Sequence, residues 1–300
     1  MEQRVAEQAT IGIRAGQQVQ RLGRGMVRLA RTQPLGTFGL VICLIIVVMA
    51  VFAPLVSRYD PFVASAYDRL QAPRASHWFG TDEYGRDVYA RLVYGARISM
   101  YVAFFSIAIG TFIGYLAGII SGFVGGKVDD IIQRVVDAML SFPSILLALT
   151  VVSVLGAGLD KVIAAISITL APRAARVSRG VVLSIKENVY IDAARVIGAS
   201  SIRIMLRHIL PNTMAPFLVL ASVALGGAIL TEASLSFLGL GVPPPAPSWG
   251  GMLTSAGQSV GLLAPWLMIF PGAAIMLLVL AFNLLGDALR DIWDPKMRGR

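Results

Sequence analysis

Three hundred residues that are 56% hydrophobic and only 14% charged, with a mean hydropathy of +0.72, exclude an ordinary soluble globular domain and point to a membrane protein. The formal net charge of +9 invites a nucleic-acid reading, because clustered Lys and Arg neutralise phosphates, but the basic residues gather beside apolar runs, where they act as a topology signal. The only cysteine, Cys43, lies within an apolar run, so no intrachain disulfide forms and the thiol reads as a small buried apolar group.

Residues 1–36 form an arm with six Arg, expected on the cytoplasmic side. The first span covers 37–56 without a charge, and it lacks the short apolar core and small-residue cleavage site of a signal peptide, so it reads as an uncleaved anchor. Residues 57–97 form an extracytoplasmic segment ending in "GRDVYARLVYGAR", where Val88, Tyr89 and Leu92 share one side and Asp87 precedes Arg91 by four. That pattern predicts an amphipathic helix lying on the outer surface. A core of spans follows over 98–286, with a cytoplasmic tail expected at 287–300.

Within the core, the second span runs from Ile98 to Phe123 and carries Gly110, Gly114, Gly118, Gly122 and, just beyond it, Gly126. A small residue at every fourth position makes a smooth groove into which another helix packs closely. The third span, Val135 to Gly156, is interrupted at Pro143. The fourth, Val162 to Pro172, is only about 16 Å of helix and must continue through "RAARVSRGVVLSI" with Arg173 and Arg176 snorkelling to the headgroups. Met214 to Leu238 is the fifth and holds Glu232, an acid deep in an apolar run and so a candidate for the translocation path. A proline-stiffened outer loop, "GVPPPAPSWGGML", with Trp249 at the membrane interface, leads to the sixth, Leu262 to Gly286.

The distribution of charge supports six spans with both termini inside. The inner segments then hold 19 of the 26 basic residues, while the outer seven are nearly balanced by Asp60, Asp68, Asp82, Glu83, Asp87 and Asp160. The two histidines, His77 and His208, fall on opposite sides of the membrane and so share no metal.

The inner stretch "YIDAARVIGASSIRIMLRHILPN" at 190–212, with four charged side chains, reads as two short amphipathic helices. Tyr190, Ala193, Ala194 and Ile197 align on one face, and Ile202, Met205, Leu206, Ile209 and Leu210 on the other helix. Gly198 breaks the first, Ser200 or Ser201 caps the second, and Pro211 is expected to end it. On periodicity alone the pair is equally an interfacial element lying on lipid headgroups.

The succession Asp192-Ala193-Ala194, Gly198, Leu210-Pro211 resembles the EAA loop of bacterial ABC-importer permeases: Glu-Ala-Ala, three residues, Gly, nine residues, Ile, one residue, Leu-Pro. Asp192 stands for the Glu and His208 for the Ile. "FGTDEYGRDVYARLVYGARISM", "DDIIQRVVDAMLSFPSILLAL", "LRHILPN", "EASLSFLGLGVPPPAPSWGGML" and "AFNLLGDALRDIWDPK" are similar to the dipeptide, oligopeptide and nickel branch, in its C-type permease subunit.

That resemblance implies an all-α membrane protein of the type I ABC-importer permease fold, with six transmembrane helices and a cytoplasmic coupling helix pair, in the inner membrane. It implies a second, B-type permease, two cytoplasmic ATPase subunits or domains that bind ATP and Mg, and an extracytoplasmic solute-binding protein. Asp192, Ala193, Ala194, Gly198, Arg203, Arg207, Leu210 and Pro211, in the loop 186–212, are then the candidates for coupling to the ATPase. Arg86, Asp87 and Trp249 are candidates for the receptor-facing surface.

No catalytic residue is expected on this chain. The nearest phosphate-loop candidate, "GFVGGKV", has Val128 where a Mg-binding Ser or Thr belongs and Ser121 at the first glycine position. A stand-alone secondary transporter or channel is the alternative, expected to bring several midplane charges and inverted repeats. Dipeptide, oligopeptide, nickel chelate and a glutathione-like peptide are all compatible cargoes.

Overall fold

In the computed structural model, residues 33–255 and 263–293 are described; the expected arm up to residue 32 and the tail from 294 lie outside them. The helices are α1 Pro34–Val51, α2 Ala53–Val56, α3 Val88–Val124, α4 Gly126–Leu140, α5 Ser144–Leu155, α6 Leu159–Lys186, α7 Val189–Val196, α8 Ser201–Ile204, α9 Leu210–Phe237, α10 Trp249–Ser255 and α11 Trp266–Trp293. A π-turn, Met205–Ile209, joins α8 to α9. Among the described residues there is no strand, only one isolated bridge between Thr81 and Asp87.

Four helical runs are long and apolar enough to cross a bilayer: α1, α3, the continuous Ser201–Phe237 and α11. The pair α4 and α5, bent by 93° at the break before Pro143, makes a fifth if it counts as one span. Six were expected. The sixth candidate is α6, which joins the short apolar run at 162–172 to the basic stretch after it in one 28-residue helix with Pro172 inside. At about 1.5 Å per residue its length suffices, but Arg173, Arg176, Arg179 and Lys186 fill its second half, so it does not qualify as a span by composition.

Helix α3 carries two expected elements at once. The segment predicted to lie on the outer surface forms the first turns of the same 37-residue helix that makes the second span. Its supposed lipid-facing side is instead internal, with Val88 fully buried. A continuous helix satisfies every backbone donor and acceptor from the loop into hydrocarbon, where an unpaired group costs several kcal/mol.

The tightest contact is between α3 and α6, and the glycines explain it. A Cβ on Gly110 would come 2.5 Å from the Ser167 carbonyl oxygen, on Gly114 2.1 Å from that of Ala171, and on Gly118 2.3 Å from that of Ala175. At Gly122 the nearest atoms, in Val182 and Arg179, lie 3.0–3.1 Å away. Helix backbones thus meet directly, which in lipid replaces the missing hydrophobic drive with close packing. Gly126 differs: it starts α4 with φ +55° and has nothing within 4 Å, so its place in the four-residue series has no packing counterpart.

Two cores result. The larger joins α1, α3, α5, α6, α9, α10 and α11 around residues such as Val102, Ile166, Ile229 and Leu278. The smaller lies at the other end, where Tyr115 and Ile119 of α3 and Val182 of α6 receive Ile191, Ala194, Ile204 and Ile209.

Candidate functional site

The stretch between α6 and α9 is built on that smaller core. Lys186, the last residue of α6, donates to the carbonyls of Gly122 and Phe123 at 3.1 and 2.9 Å, closing the end of α3. Asn188 turns the chain and donates back to the carbonyls of Ser184 and Ile185. Helix α7 then runs for eight residues across the end of the bundle.

Gly198 ends α7 in the left-handed region, with φ +82°. Its N–H donates to the Arg195 carbonyl and that of Ala199 to the Ala194 carbonyl, both at 3.0 Å. This is a Schellman closure, with Ala194 and Ala199 both in the smaller core. Nothing lies within 4 Å of a Cβ built on Gly198. Glycine is therefore required by backbone angle, not by crowding.

Ser200 opens α8 by accepting the Arg203 N–H at 3.4 Å. The expectation that Pro211 ends this helix is corrected: the helix passes through Pro211 into the span. Proline has no N–H for the carbonyl four residues back. The π-turn absorbs the defect, since Leu210 N–H bonds five residues back to Met205 and Asn212 Nδ2 supplies a donor to the His208 carbonyl at 2.6 Å. Pro211 then sits in the first turn of α9, where proline is tolerated.

The faces also differ from the expected ones. Of Tyr190, Ala193, Ala194 and Ile197, only Ala194 is buried, while Ile197 is 83% exposed. Of the second stripe, Met205, Ile209 and Leu210 belong to the smaller core, and Ile202 and Leu206 point outward. The π-turn puts residues five apart on one face, which is why Ile204 and Ile209 share the inside. Outside, Val189, Val196, Ile197, Ile202 and Leu206 form an uncovered apolar surface. Arg203 and Arg207 are exposed beside it, and neither forms an ion pair among the described residues. Asp192 does: it accepts from Arg195 Nη1 at 2.9 Å, one helical turn away.

Two inter-helix ties behind this surface were not anticipated. The Asp129 carboxylate of α4 takes both Nε and Nη2 of Arg179 on α6 at 2.6 Å and also meets Ser121 of α3. Tyr115 of α3 bonds Thr213 Oγ1 at 2.6 Å and donates to the Leu210 carbonyl at 3.3 Å, with its ring 4.3 Å from that of Phe217. Sequence spacing carried no signal for either, because the partners lie 50 to 98 residues apart.

At the opposite end, residues 57–87 fold as a cap around Asp82 and Asp87. Asp82 Oδ1 accepts the N–H groups of Tyr84 and Arg86 at 2.9 Å, and Oδ2 faces Arg86 Nε at 2.7 Å and Arg91 Nε at 3.5 Å. Asp87 caps α3 through Ala90 N–H at 2.8 Å, and its other oxygen lies 2.9 Å from His77 Nδ1. Trp249 Nε1 donates to the Leu92 carbonyl at 2.8 Å. The three residues expected to face a receptor, Arg86, Asp87 and Trp249, are only 9%, 5% and 2% exposed. They hold the cap to the bundle, and the cap exposes Tyr67, Trp78 and Tyr84 together with Arg58, Asp60, Arg69 and Arg74.

Glu232 is fully buried inside the chain rather than open to a lumen. Ser236 Oγ donates to its Oε1 at 2.8 Å, and Oε2 has no partner among the described residues. Helix α10 presses on the same turn, a Cβ on Gly250 coming within 2.4 Å of the Ala233 carbonyl oxygen.

Comparison with known proteins bears on this architecture. Residues 114–299 match the family described as binding-protein-dependent transport system inner membrane component. Residues 22–73 match the N-terminal TM domain of oligopeptide transport permease C. The dipeptide transport system permease protein DppC of Alkalihalophilus pseudofirmus is 45% identical over 88% of this chain and 86% of its own length. A putative peptide transport system permease protein of Brucella suis is 44% identical over 87% of each. The glutathione transport system permease protein GsiD of Escherichia coli is 44% identical over 90% of this chain and 89% of its own.

Proposed function

The chain belongs to the binding-protein-dependent transport system inner membrane components, and from that premise we propose that it carries short peptides or a related small solute across the inner membrane as one of two permeases in an ATP-driven importer. Relatives named for dipeptide, peptide and glutathione transport support that cargo class. None supports a stand-alone transporter or channel.

The observation that carries the coupling role is the uncovered apolar surface of α7 and α8. Val189, Val196, Ile197, Ile202 and Leu206 are 55–87% exposed, and they are supported from behind by the smaller core. A helical element with an apolar face and, at its edge, Arg side chains that form no ion pair among the described residues is what an ATPase groove takes up. ATP and Mg belong to those ATPase partners, and Asp192 to Pro211 is their docking segment. The amino terminus and the 173–212 region face the cytoplasm on this reading, and the 57–97 cap faces the solute-binding protein. The excess of basic residues on the 173–212 side supports that orientation.

Reconstitution tests it. The full chain with a B-type permease, ATPase subunits and a receptor should take up radiolabelled dipeptide only with ATP and receptor present. Uptake by the full chain alone, driven by an ion gradient, would overturn the reading.

A further inference from the structure

Beside α1 the bundle leaves a hollow of about 390 Å³, inside the roughly 300–1,000 Å³ range of small-molecule sites. Ile45 and Met49 of α1 form one wall and Phe270 and Leu277 of α11 the other, and Tyr89 and Trp249 close the end toward the cap. The outward wall is open, Ile45 being 53% exposed.

The chemistry of these walls excludes most occupants. No lining residue is charged, and the Trp249 N–H is already engaged by the Leu92 carbonyl. An ordered water needs about 2–4 polar partners, which the hollow does not offer. A peptide segment would bury unpaired amide groups at a cost of roughly 1–3 kcal/mol each. Hydrocarbon loses nothing there. Both walls belong to helices apolar enough to cross a bilayer, so the available hydrocarbon is a lipid chain.

The polar end is equally specific. Tyr89 also lines a second, small hollow shared by Arg58, Tyr59, Ser76 and Asp87. Arg58 is exposed, lies over the Tyr59 ring at 5.7 Å and forms no ion pair among the described residues. Asp87 is the one carboxylate there, and its oxygens are engaged by His77 and the Ala90 N–H. Arg58 is the one cation that lines this hollow, and its exposed side chain is within reach of a headgroup at the mouth. We infer that the hollow holds one acyl chain of an anionic phospholipid, with its phosphate on Arg58 and its chain between α1 and α11, completing the packing of α1 against the bundle.

The test uses the full chain in membranes supplied with phosphatidylglycerol bearing a mid-chain diazirine. Photolabel should fall on the peptides containing residues 42–49 and 270–277. Ala274→Leu, which fills the hollow, should lower that label on the order of tenfold, while Val41→Leu, on an exposed part of α1 outside it, should not. Arg58→Gln lies outside the bundle and keeps the fold; it should cut phosphatidylglycerol labelling about two- to fivefold, the size of an exposed ion pair. The same variant should leave labelling by a diacylglycerol probe, which has no phosphate, at parent level. Equal labelling of parent and Ala274→Leu would mark boundary lipid without a site and overturn the inference. So would a benzophenone side chain at position 45 capturing a second permease instead of lipid, or an Arg58→Gln variant that labels as the parent does.

Discussion

The hydroxyl of Tyr115, in the second half of α3, donates to the carbonyl of Leu210, 95 residues away and immediately after the π-turn. The same hydroxyl pairs with Thr213 at 2.6 Å. It joins the long second span to the point where the helix pair of residues 189–209 becomes the next span. On the proposed coupling role, force on α8 reaches the bundle through this joint.

Tyr115→Phe keeps the stack on Phe217 and deletes only the hydroxyl, whereupon Thr213 Oγ1, 2.9 Å from the Leu210 carbonyl, donates there instead. The expected loss of stability is about 1 kcal/mol, within reach of an otherwise folded complex. Uptake per ATP hydrolysed should fall more than the melting temperature predicts, because the joint is loosened without being unfolded. Parallel measurement of hydrolysis, uptake and thermal unfolding checks it, and an unchanged uptake-to-hydrolysis ratio would refute the role of the joint.

Gly198 is open in space but strained in angle, which sorts its substitutions in an unusual way. Gly198→Ala and Gly198→Leu should cost nearly the same, about 1–2 kcal/mol, because both meet the left-handed penalty and neither meets an atom. Gly198→Asn, better tolerated at this backbone angle, should cost less. Membrane insertion should survive in all three, and substrate-stimulated hydrolysis should fall in the order Asn, then Ala and Leu together. A steep dependence on side-chain size would contradict an angular cause.

The α3–α6 contact makes the opposite prediction. Gly114→Ala drives a Cβ to 2.1 Å from the Ala171 carbonyl oxygen, so about 1–3 kcal/mol of overpacking is expected. Gly180→Ala, on α6 with nothing within 4 Å, gains up to about 1 kcal/mol of helix propensity instead. Thermal unfolding of the purified chain in detergent should therefore move down for the first and up or nowhere for the second.

These contrasts show which features can be read without coordinates. The glycine ladder was legible because its period and the helix period nearly coincide, and Gly198 because glycine after an amphipathic run is a stop signal. Pro211 misled, since proline signals an end unless a π-turn and a side-chain donor such as Asn212 absorb the missing bond. Arg86, Asp87 and Trp249 misled for a related reason. Charged and indole groups near an outer segment look exposed until their partners are known, and Trp249 finds its acceptor on Leu92, 157 residues away. Long-range pairing leaves no periodicity in a single chain, so the cap and the Asp129–Arg179 tie emerged only from the fold.

The charges at the edge of the proposed docking surface give the last prediction. Arg203 and Arg207 are exposed and form no ion pair among the described residues, so reversing them disturbs no described ion pair of this chain. Arg203→Glu with Arg207→Glu should weaken association with the ATPase on the order of tenfold near 0.15 M salt, as expected for two exposed pairs turned repulsive. The difference from the parent should shrink toward 1 M salt, where the screening length falls from about 8 Å to about 3 Å. Arg28→Glu, in the amino-terminal arm, should bind the ATPase as the parent does. Apolar contacts from Val196, Ile197 and Ile202 persist through the reversal, so Ile197→Asp should weaken association at every salt concentration. Binding of the detergent-solubilised complex across a salt series separates the two effects, and a double reversal indistinguishable from the parent at low salt would remove these arginines from the interface.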